Sequence, residues 1–482
     1  MSLKQRTVSA MFWSFIDSFA NQGIQFIIGI ILARVLSPKD FGLVGMLTIF
    51  IAISQTFIDS GFTIALIRKQ NCTQTDYSTV FYFNLAVGVL IYLLLFIGAN
   101  PISIFFHEPK LKALVQVLGL GLVLNSFAII QKTILSKEIN FKLQTRVSVI
   151  ASVASGIIAV SLAYSGYGVW SLVALTLVRF GFSSILLWIW AKWRPLFVFS
   201  MQSFRELFSF GSKLLASGLI DTIYRNIYYL VIGKYFSAVQ LGYYTTADQY
   251  QALPSQNLVG IIGKVSYPVL ATLQNDVYKL KATYQKLIKS TMLITFVLLM
   301  GMAVIAKPLI VVLIGIKWLP AVKYLQLLSF IGMLYPLHAL NLNMLQVQGR
   351  SDLFLRLEII KKVLAIPTIV IGVFFGITYM IVAIMVLNII AYFINSFWSG
   401  RFISYSIAEQ LKDLFPSFLM AIVVNGIVFL VGMLIHASPI VLLLSQIGLG
   451  SILTILLCEL FKINDYLYLK QIIIGFLYRS KL

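Results

Sequence analysis

Residues 13–42, WSFIDSFANQGIQFIIGIILARVLSPKDFG, place Asp17, Asn21 and Gln25 at spacings of four inside a largely apolar stretch. The stretch is long enough to cross a bilayer, for which roughly 20 residues suffice. Asp17, Asn21 and Gln25 recur at every fourth position, so on a helix they fall within an arc of about 80°. Hydrocarbon rejects such a face, which must turn toward protein or water. A chain that opens this way is expected to span the membrane and to keep a polar interior.

The same stretch returns 200 residues later without a gap. LARVLSPKDFG lies over IGKYFSAVQLG, so that Arg34 meets Lys234, Ser37 meets Ser237 and Gly42 meets Gly242. The polar stripe repeats as well, with Ser217, Asp221 and Arg225 under Asp17, Asn21 and Gln25. Two halves that each begin with a polar-striped helix form a transporter-like layout.

Apolar spans of similar length continue along the chain. Fourteen are expected: Trp13–Leu36, Leu43–Ile67, Val80–Ala99, Leu114–Leu135, Val147–Ala163, Val169–Ala191, Leu214–Phe236, Thr245–Leu270, Thr291–Ile314, Tyr324–Val347, Ile359–Phe375, Met380–Trp398, Phe415–Ile435 and Pro439–Phe461, with twelve as the fallback. The expected fold class is therefore an all-α polytopic membrane protein. A composition that is 60% hydrophobic and only 11% charged excludes a soluble domain. The net charge of +21 raises nucleic acid as a partner, but the cations cluster in short loops between spans, so no nucleic acid is expected. With the N-terminus inside, the inner loops and ends hold 26 Lys and Arg, Lys132 counted among them, and the outer loops 8. That bias places both termini in the cytoplasm. Cys72 and Cys458 then fall at cytoplasmic ends, and no disulfide is expected.

The expected organisation is a first lobe over 1–191, a polar linker over 192–212, a second lobe over 213–400 and two appended helices over 401–461. The tail, 462–482, mixes cations with apolar residues and is expected to lie on the inner surface as an amphipathic segment.

Four stretches carry a family resemblance: LARVLSPKDFGLVGM at 32–46, INFKLQTRVSVIASVASGIIAVSLAYSGYGVWSLVA at 139–174, KPLIVVLIGIKWLPAV at 307–322 and NMLQVQGRSDLF at 343–354. They resemble Wzx-type polysaccharide flippases of the WzxC-like branch, in the superfamily that also holds the MATE drug exporters and the lipid II flippase MurJ. The resemblance implies two six-helix lobes in a V around a central cavity. It implies movement of an undecaprenyl-diphosphate-linked oligosaccharide from the cytoplasmic to the outer leaflet of a bacterial inner membrane, for O-antigen, capsule or exopolysaccharide. Polysaccharide polymerase and glycosyltransferases are the protein partners such a role implies.

A diphosphate-sugar headgroup needs a wet, cationic, hydrogen-bonding path. Arg225 in mid-span, one turn after Asp221, either lines that path or pairs with Asp221 to hold its helix. Arg179 sits about 20 Å from the cytoplasmic end marked by Lys192, too far to snorkel, and meets substrate or a carboxylate such as Asp17 or Asp59. Lys264 lies near the inner end of span eight and is expected to snorkel. Asn21, Gln25, Asn341 and Gln346, with Asn343, Asn125 and Gln131, either bind sugar hydroxyls or serve as ordinary packing glue. His338 is expected to be structural. Asp17, Asp59 and Asp248 are the carboxylates on offer for coupling to H+ or Na+, since desolvation moves a membrane carboxylate toward values protons use. Neither a metal cluster, a phosphate-cradling glycine loop nor a nucleophile motif is present in the sequence, so no cofactor and no enzymatic reaction are expected.

Two other functions compete. A MATE-type cation-coupled drug exporter would favour carboxylates and aromatics over the mid-span Arg179 and Arg225. A membrane polymerase or ligase of lipid-linked sugars would need a large outer loop with catalytic residues, and no outer loop here exceeds roughly 15 residues.

Overall fold

The computed structural model describes the backbone of residues 3–463, 465–467 and 470–471, and the side chains of these residues except 3–12, 15, 261, 264 and 265. Lys264 and most of the expected surface tail thus lie outside the described residues. Among those described, the regular secondary structure is all helical and there is no strand.

The helices are α1 (Leu3–Val35), α2 (Pro38–Asp59), α3 (Phe62–Arg68), α4 (Gln74–Phe106), α5 (Lys110–Lys137), α6 (Phe141–Tyr164), α7 (Trp170–Trp190), α8 (Met201–Tyr235), α9 (Ala238–Thr272), α10 (Val277–Ile314), α11 (Ala321–Gly332), α12 (Tyr335–Val347), α13 (Ser351–Leu364), α14 (Ile366–Phe375), α15 (Ile377–Phe402), α16 (Ile407–Leu434) and α17 (Pro439–Leu460). Each expected span lies on one helix or on a broken pair. The broken pairs are α2–α3, α11–α12 and α13–α14. The first break falls at Ser60 and Gly61, both left-handed with φ of 47° and 69°. Among the described residues, eleven segments are long and apolar enough to cross a membrane. The chain is a multi-pass membrane protein.

α8, α9 and the α13–α14 pair are not among those eleven. α8 carries Lys213, Ser217, Asp221 and Arg225 on one face, all exposed, and so gives up apolarity for a polar stripe. In α13–α14 the break at Ala365, ahead of Pro367, leaves two pieces each too short to span alone.

The 200-residue repeat is visible in the backbone. α1 ends at Val35 and α8 at Tyr235; α2 starts at Pro38 and α9 at Ala238. Ser37 Oγ accepts from the Asp40 amide at 3.4 Å, and Ser237 Oγ from the Gln240 amide at 3.2 Å. The same side chain thus satisfies the same orphan donor at both helix starts. Capping boxes at Thr73–Asp76 and Ser406–Glu409 fix the starts of α4 and α16 in the same manner.

The chain divides into two compact units, Met1–Gly242 and Tyr243–Leu482. The expected first lobe, the linker and α8 all lie in the first unit; α16 and α17 lie in the second. In the first unit α6 packs between α1 and α7, α5 packs on α4 and α7, and α8 lies along α2. The α2–α8 contact uses small residues: Thr56 Oγ1 meets Thr222 Oγ1 at 3.0 Å, and a Cβ on Gly61 would lie 2.5 Å from the Gly211 carbonyl oxygen. In the second unit α10 is the central post, touching α11, α12, α16 and α17. Its core gathers Tyr284, Ile288, Met292, Leu337, Leu340, Met344 and Tyr405, each fully buried.

Candidate functional site

The first unit holds charged side chains at membrane depth on three helices. Lys132 on α5 lies within electrostatic reach of Arg179 on α7 and Asp17 on α1. All three are half-buried. By the helical rise, Lys132 stands ~8 Å inside the end of α5 and Arg179 ~16 Å inside the end of α7. The Arg179 guanidinium lies 5.7 Å from the Phe180 ring centroid. Two cations against one carboxylate leave the group net positive.

Neutral partners hold Asp17. Asn21 Nδ2 donates to Asp17 Oδ1 at 2.9 Å and to Ser148 Oγ at 2.9 Å. Ser148 Oγ also donates to Asp17 Oδ1, and Ser152 Oγ donates to Asn21 Oδ1 at 2.8 Å. Thr145 Oγ1 adds a bond to the Trp13 carbonyl at 3.1 Å. Thr145, Ser148 and Ser152 follow each other by three and four residues, so one face of α6 meets the polar face of α1. Hydrogen bonds from neutral partners thus fix the position of the carboxylate beside the two cations.

Asp59 belongs to a separate relay. Thr63 Oγ1 donates to Asp59 Oδ1, and Thr133 Oγ1, next to Lys132, lies 3.4 Å from Thr63 Oγ1. Gln25, Asp221 and Arg225 are exposed on α1 and α8.

The second unit places the other sequence candidates differently. Asn341 is fully buried on α12. Its Oδ1 accepts from Tyr284 OH at 3.0 Å and from Ser399 Oγ, and its Nδ2 donates to the Leu337 carbonyl at 3.0 Å. Its amide is spent within the unit. Gln346 is exposed, Asp248 half-buried, and Asn343 Nδ2 reaches Ser266 Oγ at 3.1 Å. His338 Nδ1 meets Asn395 Nδ2 at 3.2 Å.

Three residues escaped the sequence reading. Lys132 was counted with the inner loops, whereas the structure sets it inside α5. Its position within span Leu114–Leu135 was the available signal. Ser148 and Ser152 carried a weaker one, a small polar stripe at helical spacing.

Fold and site together define a polytopic membrane protein of two helical units, the first of which carries charged side chains within its membrane-length helices. The fold is shared with the lipid II flippase MurJ in its inward closed conformation: TM-score 0.76 at 14% identity, covering 94% of this chain and 98% of that one. The chain belongs to the family described as polysaccharide biosynthesis protein, whose model matches residues 31–323. Among its relatives are the teichuronic acid biosynthesis protein TuaB of Bacillus subtilis (strain 168), 26% identical over 73% of each chain. The lipopolysaccharide biosynthesis protein WzxC of Escherichia coli (strain K12) is also 26% identical, over 82% of each chain.

Proposed function

We propose that the protein is a flippase that moves an undecaprenyl-diphosphate-linked oligosaccharide across a bacterial inner membrane by alternating access. The carrying observation is the net positive group Lys132, Arg179 and Asp17 at membrane depth in the first unit. Burying two cations is costly unless something anionic meets them there. A diphosphate does so, and Arg can bind its oxygens two at a time. Family membership and the names of TuaB, WzxC and MurJ support a lipid-linked sugar as cargo. The loop bias supports both termini in the cytoplasm, and glycosyltransferases and a polymerase are the partners this role needs. The reading is transport, not catalysis. Asp17, Asp59 and Asp248 remain the proposed carboxylates for H+ or Na+ coupling.

The test is a proteoliposome assay with a fluorescent undecaprenyl-diphosphate saccharide and a membrane-impermeant quencher. Transfer across the bilayer is expected with the native protein. It should fall roughly tenfold or more in Lys132→Met with Arg179→Met, as loss of charge-assisted bonds predicts. Transport of a cationic drug in place of the lipid-linked saccharide would overturn the reading, as would full activity of the double variant.

A further inference from the structure

Between α7 and α8 the chain runs through ten non-helical residues, 191–200, and the apolar side chains of 196–199 are exposed. Leu196, Phe197, Val198 and Phe199 are consecutive and exposed, Phe197 at 99%. An irregular segment is normally polar, because its backbone must find water. Here alternate amides of the segment are bonded by the protein instead. The Leu196 amide donates to Ser78 Oγ at 2.9 Å, the Val198 amide to the Leu196 carbonyl at 2.8 Å, and the Ser200 amide to Thr79 Oγ1 at 3.0 Å. Pro195 has no amide hydrogen to satisfy. Ser78 and Thr79 are both fully buried on α4, so their hydroxyls serve the strap and not solvent. Upstream, Trp193 Nε1 donates to Gln74 Oε1 at 2.8 Å, and Arg194 caps the end of α7 through the Ala191 carbonyl at 2.7 Å.

Charge surrounds this strap unevenly. Lys192 and Arg194 within it and Arg205 just beyond it are exposed, whereas the nearby acids Glu206 and Asp76 both pair with Lys69, at 3.0 and 3.1 Å. Apolar tips, amides bonded in part by the protein and a cationic rim suit the boundary between headgroups and acyl chains, where the remaining amides still meet polar headgroups and water.

We propose that residues 195–199 are an interfacial anchor. Leu196, Phe197, Val198 and Phe199 enter one leaflet at the headgroup–acyl boundary, and Lys192 and Arg205 engage the phosphates of anionic phospholipid. The strap is the only covalent passage from the first sequence repeat to the second, so this anchor pins that passage to the membrane surface.

The experiment uses the full chain with Cys72→Ser and Cys458→Ala, and a nitroxide on Phe197→Cys or, separately, Phe199→Cys. A nitroxide on Gln274→Cys, in the exposed loop before α10, is the aqueous control. Each is placed in nanodiscs of phosphatidylcholine alone or mixed with phosphatidylglycerol, and collision with oxygen is compared with collision with a nickel chelate. The oxygen-to-nickel ratio is expected to be several-fold higher at 197 and 199 than at 274. It should rise further with phosphatidylglycerol, and Lys192→Gln with Arg205→Gln should remove that rise. Nickel access at 197 and 199 equal to that at 274 would overturn the anchor. A high ratio that ignores both lipid charge and the double variant would overturn its anionic-lipid component.

Discussion

Gly42 and Gly242 each press against the first residue of the other's helix. A Cβ on Gly42 would lie 1.6 Å from the Ala238 carbonyl oxygen, and one on Gly242 would lie 1.9 Å from that of Pro38. The exchange is reciprocal under the 200-residue offset, 42 to 238 and 242 to 38, as a local two-fold axis between two copies of one helix start requires. No side chain fits at either position without moving backbone.

Gly42→Ala is therefore expected to destabilise the protein by about 1–3 kcal/mol, the usual range for overpacking a close contact. Gly23→Ala is the control, since a Cβ there meets nothing within 4 Å and alanine favours a helix. Thermal unfolding in detergent should show the first variant below the native protein and the second level with it or above. Equal midpoints for the two variants would contradict the close approach.

Ile139 sits in the left-handed region at φ 58°, where a β-branched side chain is strained. It ends α5: the Ile139 amide donates to the Ser136 carbonyl at 3.2 Å and the Asn140 amide to the Leu135 carbonyl at 2.8 Å. The side chain is 40% exposed, so little burial is lost on removing it. Ile139→Gly is expected to raise stability by about 0.5–1 kcal/mol once glycine's greater freedom in the unfolded chain is offset. A lower unfolding midpoint would refute this.

Much of this fold was legible in the sequence, and the exceptions share a cause. The helix ends at 35 and 235 fall within a residue of the expected span ends at 36 and 236, because the repeat acts locally, whereas the starts at 38 and 238 precede the expected 43 and 245, since the first turns carry polar residues. Lys132 reads only as a cation of an inner end, because the positive-inside rule counts a lysine near a span end without asking what faces it. Asn341 looked free to bind sugar because Tyr284 and Ser399, which occupy its amide, lie on α10 and α15. Periodicity reports the face a residue occupies on its own helix. It carries no information about the helix packed opposite.

Asp276 caps α10, with Oδ1 accepting the Lys279 amide at 3.0 Å and Oδ2 paired to Lys279 Nζ at 3.0 Å. These contacts hold its carboxyl below the usual 3.8. A depressed carboxylate stabilises the folded state above its unfolded pKa, and that support is lost as pH falls through the folded value. The native protein should therefore outlast Asp276→Ala at neutral pH, and the gap should narrow as pH drops below 3.8. Asp276→Asn keeps a neutral cap, so its advantage over Asp276→Ala should be independent of pH. Unfolding midpoints across pH decide it; a gap between native and Asp276→Ala that is constant with pH would show that the charge contributes nothing.

The polar stripe of α8 yields the sharpest test of function. Lys213, Ser217, Asp221 and Arg225 follow each other by four residues, and all four are exposed. An exposed guanidinium within a membrane helix is costly in lipid, so this face is expected to meet water or cargo. If Arg225 serves only to balance Asp221, exchanging the two by Asp221→Arg with Arg225→Asp preserves the i,i+4 relation and its small stabilisation. If Arg225 grips diphosphate oxygens, the exchange moves the fork by one helical turn, roughly 6 Å along the axis, beyond the reach of the same hydrogen bonds. Our reading predicts the second outcome: Arg225→Ala and the exchanged pair both lose saccharide transfer in proteoliposomes while inserting in normal amount. Arg225→Lys should retain part of it, because the charge remains and the planar fork does not. Recovery of native transfer by the exchanged pair would assign Arg225 to helix balance and leave the cationic role to Lys132 and Arg179.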